Sequence, residues 1–304
     1  MKFIERNVVL KSFNNSFTLI PWCCSHIESD EAHKELFKQF TLRAYEPDVY
    51  TLCLGDIFDF ARSKYRAGLR SVRPDNTSTR AIDVAVHQEV EKFAAAYGSP
   101  LFGERNLGVI EGNHFWETVS NDDERDLRAG ETQSMWLCRR YGVEYLAELA
   151  VITLYITFQD RPGLKDSYVI YAAHGTKTGG NTVGTDIGNM ERKIEPMMEA
   201  DCYITGHTHR RISHFLPKMI PVGKRFVERP HLLVKAGSFL RGFVPGKVTY
   251  ASEAGYRPLD LGWQEIEFNY IQRGQKVVRV VSTSMSSEVT IGMVSARKAQ
   301  RKAA

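Results

Sequence analysis

The sequence predicts an α/β fold in which two mixed β-sheets pack together and helices flank them. Strands and helical segments alternate through the first half of the chain, which is typical of βαβ units and a largely parallel sheet. The second half is richer in strands, which indicates a second sheet packed on the first. With 304 residues, the chain is long enough to bury a large core.

Ten strands are predicted from apolar runs that end at turn residues. They lie near 16–24, 49–54, 107–111, 148–158, 167–173, 201–205, 212–216, 231–236, 263–269 and 276–283. Four segments have helical periodicity: 30–45, 81–97, 131–142 and 188–200. The first of these has Ser29 as its predicted N-cap and places Ala32, Leu36, Phe37 and Phe40 on one apolar face.

The composition favours one intracellular domain, 1–290, followed by a basic tail, 291–304. Five cysteines without framework spacing are typical of reduced thiols. No apolar run is long enough to span a membrane, and the first residues lack the apolar stretch of a secretory signal. We therefore expect a cytoplasmic protein, or one that is made and used inside a host cell, without a membrane partner; the oligomeric state stays open.

Basic side chains are concentrated in two segments. The last eight residues carry four basic and no acidic residues, so they account for the whole net charge of +4. Residues 61–80 carry six basic side chains against one acid, Asp75. A solvated loop and a substrate-facing loop are equal alternatives for this segment. Candidate phosphate contacts are Arg62, Arg66, Lys177 and Arg210.

Polar motifs follow the predicted strands at their carboxyl ends, where open α/β sheets bind ligands. The motifs are "WCCSHIES", "LGDIFDF", "EGNHFW", "AAHGTK" and "ITGHTHRR". Asp56 is a hard anionic donor that can bridge two cations, and Asn113 offers a neutral carbonyl oxygen. His26, His174, His207 and His209 offer imidazole nitrogens. This mixed nitrogen and oxygen set suits Mn, Fe, Zn or Ni ions better than Ca or Mg.

"GDIFD", "GNH", "HG" and "GHTH", in this order, resemble the calcineurin-like metallophosphoesterase superfamily, and the longer context is most similar to its phage-type members. The resemblance implies a four-layer metallophosphoesterase sandwich with two divalent metal ions. It implies a first metal at Cys24, His26, Asp56 and His209, and a second at Asp56, Asn113, His174 and His207.

The resemblance also implies two catalytic residues. His114 would donate a proton to the leaving oxygen or contact the phosphate. Asp59 would orient His114, as carboxylates do for imidazoles; a simple turn cap is the alternative. The residue after the histidine of "GNH" is often acidic in the superfamily, but here it is Phe115.

Cys24 departs from the superfamily, whose first motif is normally Asp-x-His. As a thiolate, Cys24 would keep the ligand count and add a soft donor that favours Fe or Zn over Mn. As a thiol, it would leave the first site weak or leave an enzyme with one metal. Lariat-debranching enzymes of the superfamily also have cysteine at this position. Strand alternation would place Cys24 and His26 on one face and Cys23 in the core.

These features predict a metallophosphoesterase that hydrolyses a phosphoester with a metal-bound hydroxide. A phosphodiester of a nucleotide or nucleic acid is favoured because of the two basic segments. A phosphomonoesterase acting on a protein or a small molecule is one alternative. The other is a catalytically impaired module that binds metal or nucleic acid.

Overall fold

A computed structural model describes residues 1–60, 76–176, 178–180, 182–253, 260–273 and 276–286. Its strands are β1 Lys2–Leu10, β2 Phe17–Trp22, β3 Val49–Cys53, β4 Asn106–Val109, β5 Leu149–Phe158, β6 Lys165–Ala173, β7 Cys202–Thr205, β8 Arg211–Leu216, β9 Met219–Val222, β10 Arg225–Glu228, β11 His231–Ser238, β12 Gly262–Arg273 and β13 Lys276–Met285. Its main helices are α1 Lys34–Ala44, α2 Asn76–Phe93, α3 Gln133–Tyr141 and α4 Val183–Lys193. Shorter helical segments are Ala94–Gly98, Ser99–Leu101, Asp123–Arg125, Glu195–Met197 and Tyr250–Glu253.

Eleven of the thirteen strands form two sheets that are joined by one short pairing. One sheet has the order β1-β5-β6-β7-β11-β8 and the other has the order β13-β12-β2-β3-β4. They are joined where β11 pairs with β12 through Gly237 opposite Trp263 and Ser238 opposite Gly262. Gly237 and Gly262 both have positive φ angles, which glycine adopts without the strain that a Cβ would cause.

Three apolar clusters define four layers. Side chains of β2, β3, β4 and β12 pack against those of β1, β5, β6, β7 and β11 between the two sheets. The outer face of the second sheet packs against α1, α2 and α3. The outer face of the first sheet packs against α4. The prediction of two packed sheets flanked by helices is confirmed.

Both sheets are mixed, as predicted, and their central strands are parallel, as the alternation of strands and helices indicated. Within the first sheet, β6, β7 and β11 are parallel, whereas β5 and β8 are antiparallel to their neighbours β6 and β11. Within the second, β2, β3 and β4 are parallel, and β12 and β13 are added antiparallel. The parallel strands are continuous apolar runs because both of their faces are covered.

The first helix begins later than predicted. Ser29 is not its N-cap, because the chain from Ser29 to Ala32 forms a tight turn and Ala32 pairs with Leu240 instead. The cap is His33, whose Nδ1 accepts a hydrogen bond from the Leu36 amide at 3.3 Å. Leu36, Phe37 and Phe40 are buried on one face as expected.

Three strands were not predicted, namely β1, β9 and β10. β1 is an edge strand whose side chains alternate between partly exposed and exposed over most of its length. β9 and β10 form a separate two-stranded sheet, and β10 is exposed throughout. The edge strand and the two-stranded sheet both lack the apolar periodicity by which buried strands are detected.

Several expectations lie outside the described residues. These are most of the basic segment 61–80, with Arg62 and Arg66, together with Lys177 and the basic tail 291–304. No helix in the described part of the chain is both long enough and apolar enough to cross a membrane.

Candidate metal centre

The candidate ligands lie together because five strands, three from one sheet and two from the other, end at one edge of the sandwich. Cys24 and His26 follow β2, Asp56 follows β3, and Asn113 follows β4 in the second sheet. His174 follows β6, and His207 and His209 follow β7 in the first sheet. The loops of both sheets therefore contribute side chains to the same place.

Left-handed backbone is concentrated at this edge. Seven non-glycine residues in the described ranges have positive φ, and five of them are candidate ligands: Cys24, His26, Asp56, His207 and His209. Non-glycine residues adopt this conformation at a cost, and such strain clusters at functional sites. The side chains of these residues therefore do not follow the alternation of a β-strand.

The Asp56 carboxylate is held by the backbone of the "GNH" loop. Its Oδ1 accepts hydrogen bonds from the amides of Asn113 at 2.7 Å and His114 at 3.0 Å. The approach depends on Gly55 and Gly112, because a methyl group on Gly55 would overlap the Gly112 backbone and one on Gly112 would overlap Asp56. The other carboxylate oxygen, Oδ2, is left to face His174.

Four candidate ligands meet around the Nε2 atom of His174. This nitrogen lies 2.8 Å from Asn113 Oδ1, 3.0 Å from Asp56 Oδ2 and 3.2 Å from His207 Nδ1. Its partner Nδ1 contacts the Leu54 carbonyl at 2.6 Å, which fixes the orientation of the ring. This group corresponds to the second predicted metal.

A second group contains Cys24, His26 and His209, whose ligand atoms all lie within 4.8 Å of one another. Cys24 also belongs to a group with Asp56 and His174, in which all ligand atoms lie within 4.8 Å of one another. Within the described ranges, neither ring nitrogen of the buried His26 has a hydrogen-bond partner. A fully buried imidazole without a partner is costly, and cation binding would satisfy it.

Burial keeps three imidazoles neutral. It lowers the pKa of His26 to about 4, of His209 to about 3 and of His207 to about 4. Burial acts on His174 in the same direction, but the Asp56 carboxylate outweighs it and raises the pKa to about 9. Neutral imidazoles are the form that binds metal ions.

Cys23 and Cys24 are both fully buried. Cys24 and His26 lie together as predicted, but strand alternation is not the cause, because β2 ends at Trp22 and neither residue is in a strand. They meet because each has a positive φ angle. Cys23 Sγ donates a hydrogen bond to the Gly237 carbonyl at 3.3 Å, and burial raises the pKa of the Cys24 thiol well above its usual range.

His114 lies beside this centre. Its ring centroid is 5.0 Å from that of His26, and its Nδ1 contacts Asp59 Oδ1. His26, Asp59 and His114 have ligand atoms within 4.8 Å of one another. The contact between Asp59 and His114 is the geometry expected of an orienting carboxylate.

Arg210 does not face the centre with a free guanidinium. Its Nη1 donates to Asp186 Oδ2 at 2.8 Å, and Asp186 is fully buried in the first turn of α4. This ion pair ties the "GHTHRR" loop to α4.

Four residues near the centre were missed in the sequence. The Glu111 carboxylate accepts hydrogen bonds from Ser134 Oγ at 2.8 Å and from the Thr132 and Tyr145 hydroxyls, which connects the "GNH" loop to α3. The others are Glu28, Asp186 and Lys235. Glu28 and Glu111 stand within two residues of a candidate ligand, and this closeness is the one signal that the sequence offers for them.

The donor set fits divalent cations. Imidazole nitrogens, a carboxylate, an amide oxygen and a sulfur converge from both sheets, and the partnerless His26 is available to bind. Such a set suits Mn, Fe, Zn or Ni. The residues at this edge thus fit the binding of divalent metal.

No protein-family model matches the chain, and no curated protein matches it. Solved structures with some similarity include vacuolar protein sorting 29 from Cryptosporidium parvum, with 13% identity, a TM-score of 0.33, and coverage of 89% of this chain and 99% of that chain. Another is a conserved uncharacterized protein from Streptococcus pneumoniae, described as a predicted phosphoesterase. It has 13% identity, a TM-score of 0.31, and coverage of 88% of this chain and 99% of that chain.

Proposed function

We propose that this protein is a metal-dependent phosphoesterase. The observation that carries the proposal is the convergence on one edge of Cys24, His26, Asp56, Asn113, His174, His207 and His209, with His114 beside them. The first cation would be held by Cys24, His26, Asp56 and His209. The second would be held by Asp56, Asn113, His174 and His207.

Bound cations would lower the pKa of water so that it can attack phosphorus near neutral pH, and would neutralise charge on the phosphoryl oxygens. The protein residues fix where this happens. Asp56 is rigid because two backbone amides hold its Oδ1. His174 is rigid because the Leu54 carbonyl holds its Nδ1.

His114 is the proposed proton donor. Its Nδ1 contacts Asp59, so Nε2 is the atom that can deliver a proton to the leaving oxygen. The carboxylate would stabilise the protonated ring until the bond to the leaving group breaks. A properly placed general acid contributes roughly 10²–10⁴-fold to such a reaction.

We further propose that the substrate is a phosphodiester of a nucleotide or nucleic acid. The support comes from the sequence, in which the basic segment 61–80 directly follows the Asp56 motif and the tail is basic. Phosphates bind to clustered lysine and arginine through charge. A phosphomonoesterase uses the same centre and is the alternative outcome of the test.

A substrate panel tests the proposal. The purified protein would be assayed with bis-p-nitrophenyl phosphate, p-nitrophenyl phosphate, cyclic nucleotides and single-stranded DNA, each with Mn, Fe, Zn and Ni. We expect turnover of the diesters, faster than that of the monoester, and loss of turnover in Asp56→Asn. Faster monoester turnover would reassign the substrate class. No turnover on any substrate together with no bound metal would overturn the enzyme proposal.

A further inference from the structure

The loops that follow β2 and β3 run side by side and are joined by a series of hydrogen bonds. The Cys24, His26 and Ile27 amides donate to the carbonyls of Gly55, Asp56 and Ile57 at 3.0, 3.3 and 3.0 Å. Ser25 Oγ also donates to the Ile57 carbonyl at 3.0 Å. Beyond Ile57 the series continues through a side chain, because the Asp59 amide donates to Glu28 Oε1.

Glu28 contacts Asp59, the residue whose carboxylate contacts His114. Asp59 contacts His114 Nδ1 through its side chain and Glu28 through its backbone. On the other side, the Phe60 amide donates to the His114 carbonyl at 3.2 Å. Glu28 thus anchors one end of the short segment Asp59–Phe60, and His114 anchors the other.

Glu28 makes this contact from a partly buried position. Its second carboxylate oxygen, Oε2, is buried and has no hydrogen-bond partner within the described ranges. Removal of a hydrogen bond costs more free energy at a partly desolvated carboxylate than at an exposed one, because water does not replace the lost partner. The Asp59 amide would likewise lose its acceptor.

We propose that Glu28 is a positioning residue that holds Asp59 so that Asp59 can orient His114. Its role is that of a hydrogen-bond acceptor at a fixed reach, not that of a charge. The catalytic consequence rests on the proposed function, whereas the structural consequence can be measured without any turnover.

Four variants distinguish the effect of the length of the Glu28 side chain from the effect of its charge. Glu28→Gln keeps an acceptor oxygen at the same reach and removes the charge. Glu28→Asp keeps the charge but is one methylene too short, and Glu28→Ala removes both. Glu35→Ala is the matched control, since Glu35 is exposed on α1.

The first measurement is proton NMR of the metal-free protein labelled with ¹⁵N-histidine. We expect a downfield imidazole N–H resonance for His114, assigned by its loss in His114→Ala. It should persist in Glu28→Gln and Glu35→Ala, and it should be lost or move upfield in Glu28→Asp and Glu28→Ala. The same resonance in Glu28→Ala as in the wild type would overturn the inference, whatever the activity. So would its loss in Glu28→Gln when thermal unfolding is unchanged.

The second measurement compares two diesters that differ in their need for a proton on the leaving oxygen. p-Nitrophenolate leaves readily, whereas an unsubstituted phenolate needs general-acid help. For Glu28→Ala and Glu28→Asp we expect kcat/KM to fall about 10-fold or more with the phenyl ester and to change less than about 3-fold with the p-nitrophenyl ester. Glu28→Gln should match the wild type with both. An equal loss on both esters would overturn the inference, and it would leave the phosphoesterase proposal intact because the wild type still turns over.

Discussion

Cys24 presents a sulfur atom where the other candidate ligands present nitrogen or oxygen. Its Sγ lies within 4.8 Å of ligand atoms from His26 and His209, and also from Asp56 and His174. The residue is fully buried, so no water is available there to solvate a charged thiolate. A cation bound at this position would displace the thiol proton and stabilise the thiolate, which is the form of cysteine that binds metal.

Replacement of Cys24 should therefore change metal content before it changes the fold. We expect Cys24→Ala to lose one of two bound cations, and Cys24→Asp to keep both with a preference shifted towards Mn. Metal analysis gives the stoichiometry, and cobalt substitution should give a sulfur-to-metal absorption band in the wild type that both Cys24 variants lack. Cys138→Ala, a buried cysteine on α3, is the control. Two cations retained by Cys24→Ala would refute ligation by the sulfur.

Lys235 is a buried side chain on β11, and the free-energy cost of burying its positive charge depends on pH. Burial lowers its pKa to about 8, while its Nζ donates to Thr178 Oγ1 at 2.5 Å. Below pH 8 both folded and unfolded chains carry the proton. Between pH 8 and the unfolded value of 10.5 only the unfolded chain does, so the folded state gains relative stability as pH rises.

This sign can be tested with Lys235→Met in urea unfolding of the metal-free protein. We expect the free energy of unfolding of the wild type, relative to the variant, to increase by roughly 3 kcal/mol from pH 7 to pH 10.5, at about 1.4 kcal/mol per pKa unit. A difference between the two proteins that stays constant over this range would show that Lys235 is not desolvated.

At the level of loops between elements, the turns after β3 and β4 are in direct backbone contact. Gly112 has an ordinary backbone conformation, so a side chain there would act through steric overlap with Asp56 alone. We expect Gly112→Ala to abolish cation binding and to destabilise the fold by about 1–3 kcal/mol. Metal analysis and thermal unfolding measure both effects.

Gly163 provides the control, because nothing lies within 4 Å of a methyl group placed there. Gly163→Ala should keep full metal content, with stability within about 0.5 kcal/mol of the wild type. Normal metal binding by Gly112→Ala would mean that Asp56 does not need the close approach of the two loops.

The strands and the order of the motifs could be predicted because buried parallel strands leave apolar runs and each is followed by polar residues. Five of these strands are followed by the candidate ligands, which indicated that the ligands lie together at one edge of the sheets. The conformation of Cys24 could not be predicted, since a positive φ angle at a cysteine has no sequence signature. The role of Glu28 could not be predicted either, because its partner is a backbone amide 31 residues away.

For the molecule as a whole, the candidate ligands link the two sheets. Cys24, His26, Asp56 and Asn113 come from loops of one sheet, and His174, His207 and His209 come from loops of the other. Cations bound between them should stabilise the folded state against the unfolded chain. Ligand at 100 times its dissociation constant contributes about 2.7 kcal/mol.

We therefore expect Mn or Zn to raise Tm and a chelator to lower it, as measured by differential scanning calorimetry. Asp56→Asn should remove most of this shift, because Asp56 is the ligand predicted to serve both cations. An unchanged Tm with every metal, together with metal-free protein on purification, would argue against a cation site at this edge.

The pairing of β2 has a consequence for synthesis of the chain. β2 lies between β3 and β12, and its register with β12 joins Leu19 to Ile266. The nascent chain therefore cannot complete the surroundings of its first motif until β12, about 245 residues later, has left the ribosome, and such distant pairings form slowly. Cys24 and His26 would be among the first candidate ligands synthesised and among the last to be locked in place.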